Sequence, residues 1–274
     1  MINFLKLWNK SGKQYHKYAL NFPQYRQTNE KLIEIANSGS NQIVVDLACG
    51  TGLTTEEILK NCSNVKKVYS IDFSEDMINI AKKFVQSKKV TFIIADAQNI
   101  DKFISEKVDI VFCNSTFWQF KKQNKVLNAV FNILKNNGLF IFNLNQQFFD
   151  FGEPEPNQKF LIDTIFSELR KRGYNPSKKL KPKINKEEIE KLFKQSNFIL
   201  EKTESINIGP RTLEDLFNFF KIPATATFFE GVPKEIQEQI LSSTYKKLKK
   251  QIKQIENNKW IYFVYKKILS NSNL

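Results

Sequence analysis

The sequence predicts an α/β protein with a mainly parallel sheet covered by helices on both faces. Three observations carry that prediction. From residue 42, short β-branched runs alternate with helical patterns at the spacing of βαβ units. Those runs are apolar almost throughout, as strands buried on both faces must be. A glycine-rich turn, Ala48-Cys49-Gly50-Thr51-Gly52, joins the first run to the first helix of the series.

Residues 1–40 read as helical. Leu32, Ile33 and Ile35 with Ala36 make an apolar face, and Ser38-Gly39-Ser40-Asn41 ends it. Gln42–Leu47 is the first strand and Leu53–Cys62 a helix after the glycine turn. Lys66–Ile71 is the second strand. Ser74 caps a helix to about Val85, with Glu75 and Asp76 in its first turn, where the helix dipole favours anions. Val90–Ala95 and Val108–Cys113 are the third and fourth strands. Lys125–Leu134 is helical, Asn136-Asn137-Gly138 stops it, and Leu139–Leu144 is the fifth strand.

After residue 150 the rhythm loosens. Glu153-Pro154-Glu155-Pro156-Asn157 is a loop, Phe160–Lys171 a helix, and Asn175–Lys183 a lysine-rich connector. Lys186–Gln195 is a helix and Phe198–Asn207 a strand. Thr212–Lys221 and Lys234–Glu256 are helices, and Trp260–Tyr265 is the last strand. Along 234–256, Ile240, Leu241, Leu248, Ile252 and Ile255 recur at helical spacing, with Lys246, Lys250 and Lys253 on another face. That face reads as the wet side of an amphipathic helix rather than a surface for RNA or membrane.

Composition narrows the function classes. Hydrophobic content of 41% and charged content of 26% exclude wholesale disorder. No apolar run approaches the ~18 residues that span a bilayer. The opening stretch lacks the apolar core of a signal peptide, so the cytoplasm is the expected compartment. Three cysteines without CxxC spacing argue against a disulfide framework or a zinc site. A single histidine, His16, excludes a multi-histidine metal centre, and no metal is expected. The net charge of +14 raises nucleic acid as a partner. Only Arg26, Arg170, Arg172 and Arg211 are arginines, however, and base-edge and phosphate readers favour that side chain. The excess charge also lies at the two ends, so a lysine-rich solvated surface is the preferred reading.

The glycine turn is the most informative segment. Chain reversal after a buried strand needs residues without a bulky Cβ. Gly50 and Gly52 also let backbone approach a ligand, with helix N–H groups facing the same space. Thr55 stands where a dinucleotide fingerprint has its third glycine, and no Gly-Lys-Ser/Thr follows, which weakens NAD and nucleotide-triphosphate readings. Asp72 ends the second strand, where an acid can accept from both ribose hydroxyls.

Val44-Val45-Asp46-Leu47-Ala48-Cys49-Gly50-Thr51-Gly52 resembles the first motif of the class I S-adenosylmethionine-dependent methyltransferases. Tyr69–Met77, Ile94–Ala97, Val108–Ser115 and Leu134–Leu139 resemble the later motifs in order. The resemblance covers about residues 40–145. It implies a Rossmann-like seven-stranded, mostly parallel sheet with helices on both faces and a helical lid or insertion. It divides the chain into an N-terminal lid (1–40), a cofactor-binding core (41–150) and a remainder (151–274). That remainder would supply strands near 198–207 and 259–267 and acceptor-binding insertions near 157–183 and 208–258.

The resemblance also implies roles. Asp46 and the backbone of Ala48, Gly50 and Gly52 would hold the methionine part of S-adenosylmethionine. Asp72 would bind the ribose, and Phe73 and Met77 would pack on the adenine. Asp96 would accept from the adenine amino group, Ala97 N–H would meet a ring nitrogen, and Asn114 and Ser115 would line the site near the sulfonium. Ala48 departs from the pattern, since many members carry glycine there.

The acceptor is less legible. Trp118 stands where many small-molecule members carry a histidine, and no Asn-Pro-Pro-aromatic pattern marks a nucleobase amine or glutamine acceptor. Tyr15–Tyr25 resembles the lid of small-molecule methyltransferases, including the trans-aconitate type. Tyr15 or Tyr18 would bond the cofactor carboxylate. His16 is either a base or an anion contact, or a solvated residue of a polar helix. Trp118, Arg211 and Phe220 are candidate acceptor contacts, with Arg211 suited to an anionic group. The expectation is methyl transfer to a small, partly apolar metabolite. The alternatives are an RNA or protein methyltransferase using the basic surface, or an enzyme of this fold that does not transfer methyl.

Overall fold

A computed structural model describes residues 4–37, 39–62, 64–146, 155–176 and 185–269. The expected loop residues Glu153 and Pro154, most of the lysine-rich connector, and Ser38 lie outside them.

Two helices come first, α1 (Phe4–Asn21) and α2 (Pro23–Glu34). The core then runs β1 (Ile43–Leu47), α3 (Leu53–Asn61), β2 (Lys67–Asp72), α4 (Glu75–Phe84), β3 (Val90–Ile94), β4 (Val108–Cys113), α5 (Gln123–Ile133) and β5 (Leu134–Asn145). The chain continues through α6 (Pro156–Lys171), α7 (Lys186–Gln195), β6 (Phe198–Ile208), α8 (Leu213–Phe220), α9 (Lys234–Leu248) and β7 (Asn258–Lys267). The seven strands form one sheet in the order β3-β2-β1-β4-β5-β7-β6. β1 to β5 are parallel, while β7 enters antiparallel between β5 and β6. Strand order reverses between β1 and β4, and ligands of open α/β sheets bind at such a switch point.

The runs of β1, β2 and β4 are apolar because both faces are covered, whereas the edge strands β3 and β6 alternate with exposed positions. Every residue of β1 is buried: Val45 enters the core under α5 and α7, and Val44 the core under α2 and α3. Phe140, Phe142, Phe193 and Tyr265 stack on the first face, with the Phe193 and Tyr265 rings 3.8 Å apart. Leu32, Ile33, Ile35 and Ala36 cover the second face, so the end of α2 and the turn after it belong to the core as much as to a lid. A third core joins α6, α8 and α9 through Leu161, Ile165, Leu216, Phe217, Ile240 and Leu241.

Three boundaries differ from the sequence reading. α6 begins at Pro156, not Phe160, so Pro156 and Asn157 of the expected loop open the helix, where proline's missing N–H costs no helical hydrogen bond. α9 stops at Leu248, not Glu256; Ile252 and Ile255 stay buried because the chain folds back, and Ile255 pairs with Arg211 in an isolated bridge. Lys250 and Lys253 therefore share no helical face with Lys246. β5 begins at Leu134 itself, because the Asn136-Asn137-Gly138 stretch continues the strand through an irregularity opposite β4.

Candidate functional site

A cavity of about 560 Å³ opens over the carboxyl ends of β1, β2 and β4. That volume lies within the range of small-molecule sites. Its floor is the turn after β1. Gly50 and Gly52 take φ of +53° and +91°. A Cβ on Gly52 would stand 3.0 Å from Val85 Cγ2 and 3.2 Å from Ala81 Cβ, so both its backbone and the approach of α4 exclude a side chain. A Cβ on Gly50 would meet nothing within 4 Å; its requirement is the backbone conformation alone. Ala48 takes φ +59° with a Cβ in place, a strain of about 1 kcal/mol. Cys49 N–H donates to Ile71 O at 2.9 Å and ties the turn to β2.

Two buried carboxylates stand at this turn. Asp72 lines the cavity; its oxygens accept from the Gly50 amide and the Ser74 amide, each at 2.9 Å. Burial pushes its carboxyl up to about 6, against the lowering effect of those amides. Each oxygen keeps a further acceptor direction. Asp46 does not line the cavity. It lies behind the loop, where Oδ2 accepts from Thr55 Oγ1 at 2.6 Å and Oδ1 is buried with no partner among the described residues. Burial, and secondarily Asp72, push it up to about 7.

Phe73 and Met77 flank the turn after β2. Phe73 is exposed at the rim, and Met77 is buried one turn into α4, its amide donating to the Ser74 cap at 3.3 Å. Asp96 and Ala97 line the wall beyond β3, and both Asp96 oxygens accept from Gln98.

The end of β4 is a polar knot. Asn114 Nδ2 donates to Asn29 Oδ1 and, at 3.3 Å, to Thr54 Oγ1, joining β4 to α2 and α3. Ser115 takes φ +57° and is held from both sides: its amide donates to Asn143 Oδ1 at 2.7 Å, and Trp118 Nε1 donates to its carbonyl at 3.0 Å. Strained backbone of this kind collects at functional sites. Thr51 Oγ1 and Asn114 Oδ1 are buried without partners among the described residues, and both residues line the cavity. A polar ligand satisfies such atoms.

The other wall is aromatic. Trp8 and Tyr15 of α1, Tyr25 of α2, Trp118, Phe219 and Trp260 line it. Trp8 stands edge-on to Tyr15 at 5.3 Å and donates through Nε1 to Gln119 at 3.0 Å. Burial pushes the Tyr25 phenol up to about 12 and Tyr15 well above its ordinary value. Arg211 lines the same wall.

The structure thus brings Tyr15, Ala48, Gly50, Asp72, Phe73, Met77, Asp96, Ala97, Asn114, Ser115, Trp118 and Arg211 around one cavity. It places Asp46 and Gly52 just behind the loop. His16, Tyr18 and Phe220 do not line it. His16 turns to α4, edge-on to Phe84 at 4.8 Å, and burial lowers its pKa. Tyr18 is buried and accepts from Arg211 Nη2 at 2.6 Å. Phe220 packs on Phe228, and its neighbour Phe219 faces the cavity instead. Sequence reasoning missed Trp8, Asn29, Thr54 and Trp260, and read Tyr25 and Phe219 only as parts of the lid-like stretch and of the phenylalanine-rich insertion near 208–258. Thr54 lies in the first turn of the helix after the glycine turn; the other three carry no local signal.

Among the described residues, no group of three or more His, Cys, Asp or Glu side chains could hold a metal ion. No described helix is long and apolar enough to cross a membrane.

Residues 45–142 match the methyltransferase domain family. The chain is 32% identical over 142 residues to the demethylmenaquinone methyltransferase of Leptospira interrogans, covering 49% of this chain and 57% of that protein. It is 26% identical over 204 residues to malonyl-[acyl-carrier protein] O-methyltransferase 1 of Ilyobacter polytropus, covering 73% and 71%. The chain thus spans little more than half the length of the first of these relatives. In fold, it superposes on Haemonchus contortus phosphoethanolamine N-methyltransferase 2 in complex with S-adenosyl-L-methionine with a TM-score of 0.59. That match is at 17% identity and covers 98% of this chain and 61% of that one.

Proposed function

The chain belongs to the class I S-adenosylmethionine-dependent methyltransferases, and from that premise we propose that it methylates a small, partly apolar metabolite. The observation that carries the proposal is a single cavity with two unlike walls. One wall offers the Asp72 carboxylate and an amide-rich glycine turn, suited to a nucleoside cofactor. The other offers aromatic rings and one guanidinium, suited to an acceptor.

When bound, S-adenosylmethionine supplies an electrophilic methyl group on a sulfonium. Asp72 would hold the ribose hydroxyls, Phe73 and Met77 the adenine, and Asn114 and Ser115 the region near the sulfonium. Asp46 would support the turn from behind rather than touch the cofactor. Trp8, Tyr15 and Trp118 exclude water, and in-line displacement gains most from a dry, aligned site. No histidine lines the cavity, and the Tyr15 and Tyr25 phenols are held neutral. That favours an acceptor atom that already carries a free lone pair over one whose proton a base must remove. The two relatives described above act on demethylmenaquinone and on a malonyl-[acyl-carrier protein], which supports an acceptor with apolar or acyl character.

The test is product analysis across a panel of carboxylates, phenols, amines and RNA. Release of S-adenosylhomocysteine with a small acceptor, and none with RNA, is the expected result. Release of 5′-methylthioadenosine, or turnover with RNA alone, contradicts the proposal.

A further inference from the structure

Resting on the reading just given, we propose that the acceptor carries an oxyanion head, a carboxylate or phosphate, and that Arg211 binds it. Arg211 follows β6 and is fixed from three directions. Its backbone exchanges hydrogen bonds with Ile255, the Arg211 amide donating at 3.2 Å and the Ile255 amide at 2.7 Å. Its guanidinium carbon lies 5.0 Å from the Phe22 ring centroid and 5.3 Å from that of Phe219. Nη2 donates to Tyr18 OH at 2.6 Å. A side chain with this much rotational freedom is held still by parts of α1, the segment entering α2, and α8.

The cation so placed is not neutralised. No carboxylate among the described residues forms an ion pair with it, and its Nε is buried without a partner. Tyr18 does not supply the charge, because burial drives that phenol up despite Arg211 beside it. Asp215, the acid that bears on Tyr18, is occupied in the capping box of α8, where it accepts from the Thr212 amide at 3.2 Å. A partly buried guanidinium with one neutral partner is costly unless a ligand brings the counter-charge. Its planar fork matches carboxylate and phosphate geometry. Lys121 and Lys122 line the same cavity and add positive field, while Trp118, Phe120 and Phe219 offer an apolar wall for the rest of the molecule.

The test is calorimetric titration of the full chain, saturated with S-adenosylhomocysteine, with straight-chain carboxylates from acetate to dodecanoate, the matching alkyl phosphates and the matching alcohols. The expected result is that one anionic series binds about tenfold or more tighter than its alcohols. Arg211→Gln abolishes that preference, Arg211→Lys restores part of it, and both variants bind S-adenosylhomocysteine within about twofold of wild type. Which anionic series binds best distinguishes a carboxylate acceptor from a phosphate one. The proposal is overturned if no anion outbinds its alcohol, or if Arg211→Gln keeps the preference. It is equally overturned if Arg211→Gln loses S-adenosylhomocysteine binding, because Arg211 would then serve the cofactor. Wild type that fails to bind S-adenosylhomocysteine in the loading step overturns the methyltransferase reading itself, a result separate from all of these.

Discussion

The two walls of the cavity are built in opposite ways. The wall proposed for the cofactor comes from one stretch of chain: the turn after β1, Asp72 at the end of β2 and the residues just beyond β3 and β4. Its groups are largely backbone amides and strand-end side chains, set by φ angles and sheet register. The aromatic wall, proposed for the acceptor, is assembled from distant segments. Trp8 reaches Gln119 across 111 positions, Arg211 reaches Tyr18 across 193, and Ser11 accepts from the Ala224 amide across 213. A site written into backbone geometry constrains local sequence, and one written into tertiary packing does not. Loops and insertions on a fixed scaffold are also where a fold changes its substrate.

The comparison breaks most sharply at Gly52. Gly52→Val puts a branched side chain at φ +91° against Val85 and Ala81. We expect a loss of about 3 kcal/mol or more in chemical denaturation, together with loss of S-adenosylhomocysteine binding. An exposed glycine such as Gly173, whose added Cβ meets nothing within 4 Å, serves as the control that isolates packing from backbone conformation.

Asn29 tests the seam between the walls. Asn29→Ala leaves Asn114 Nδ2 with Thr54 alone, so about 1–3 kcal/mol of stability should go, and cofactor affinity should fall with it. Unchanged denaturation and unchanged affinity would show that the knot is not structural.

The pH response sharpens the cofactor side. Asp72 and Asp46 are raised from 3.8 to about 6 and about 7. The folded chain therefore holds protons that the unfolded chain has released. The stability these two groups contribute is present below 3.8 and is lost as pH rises to about 7, at no more than about 1.4 kcal/mol per pH unit for each group. Asp46→Asn should flatten that slope in a series of urea melts. Cofactor affinity should run the other way under the proposed role of Asp72, in which ribose hydroxyls would donate to its ionised carboxylate; the S-adenosylhomocysteine Kd should then tighten as pH passes through 6.

The smallest expected effect is a slight gain. Ala48→Gly relieves a Cβ at φ +59° but adds glycine's unfolded-state entropy, for a net stabilisation of no more than about 0.5 kcal/mol by thermal or chemical denaturation.

The same division explains what could be read in advance. The glycine turn, Asp72 and the Ser74 cap were legible because each obeys a local rule of turn, strand end or cap. Residues 248–256 misled, since Leu248, Ile252 and Ile255 keep helical spacing while the chain has left the helix; burial alone produced the pattern. Phe219 and Phe220 could not be told apart in Leu216-Phe217-Asn218-Phe219-Phe220, where nearly every position is apolar and the helical phase is invisible. On α1, a single residue step turns His16 about 100° from Tyr15 and carries it from the cavity to Phe84. Asn29 and Trp260 needed the fold itself, because only the packing of α2 and β7 brings them to the site.

The most direct test of the central claim is calorimetric binding of S-adenosylhomocysteine to wild type, Asp72→Asn and Asp72→Ala. Wild type should bind with micromolar affinity, about −8 kcal/mol, weakened at least about a hundredfold in both variants while their folded spectra persist. Equal affinity in all three proteins would contradict that claim, because the ribose would then be held somewhere other than at the end of β2.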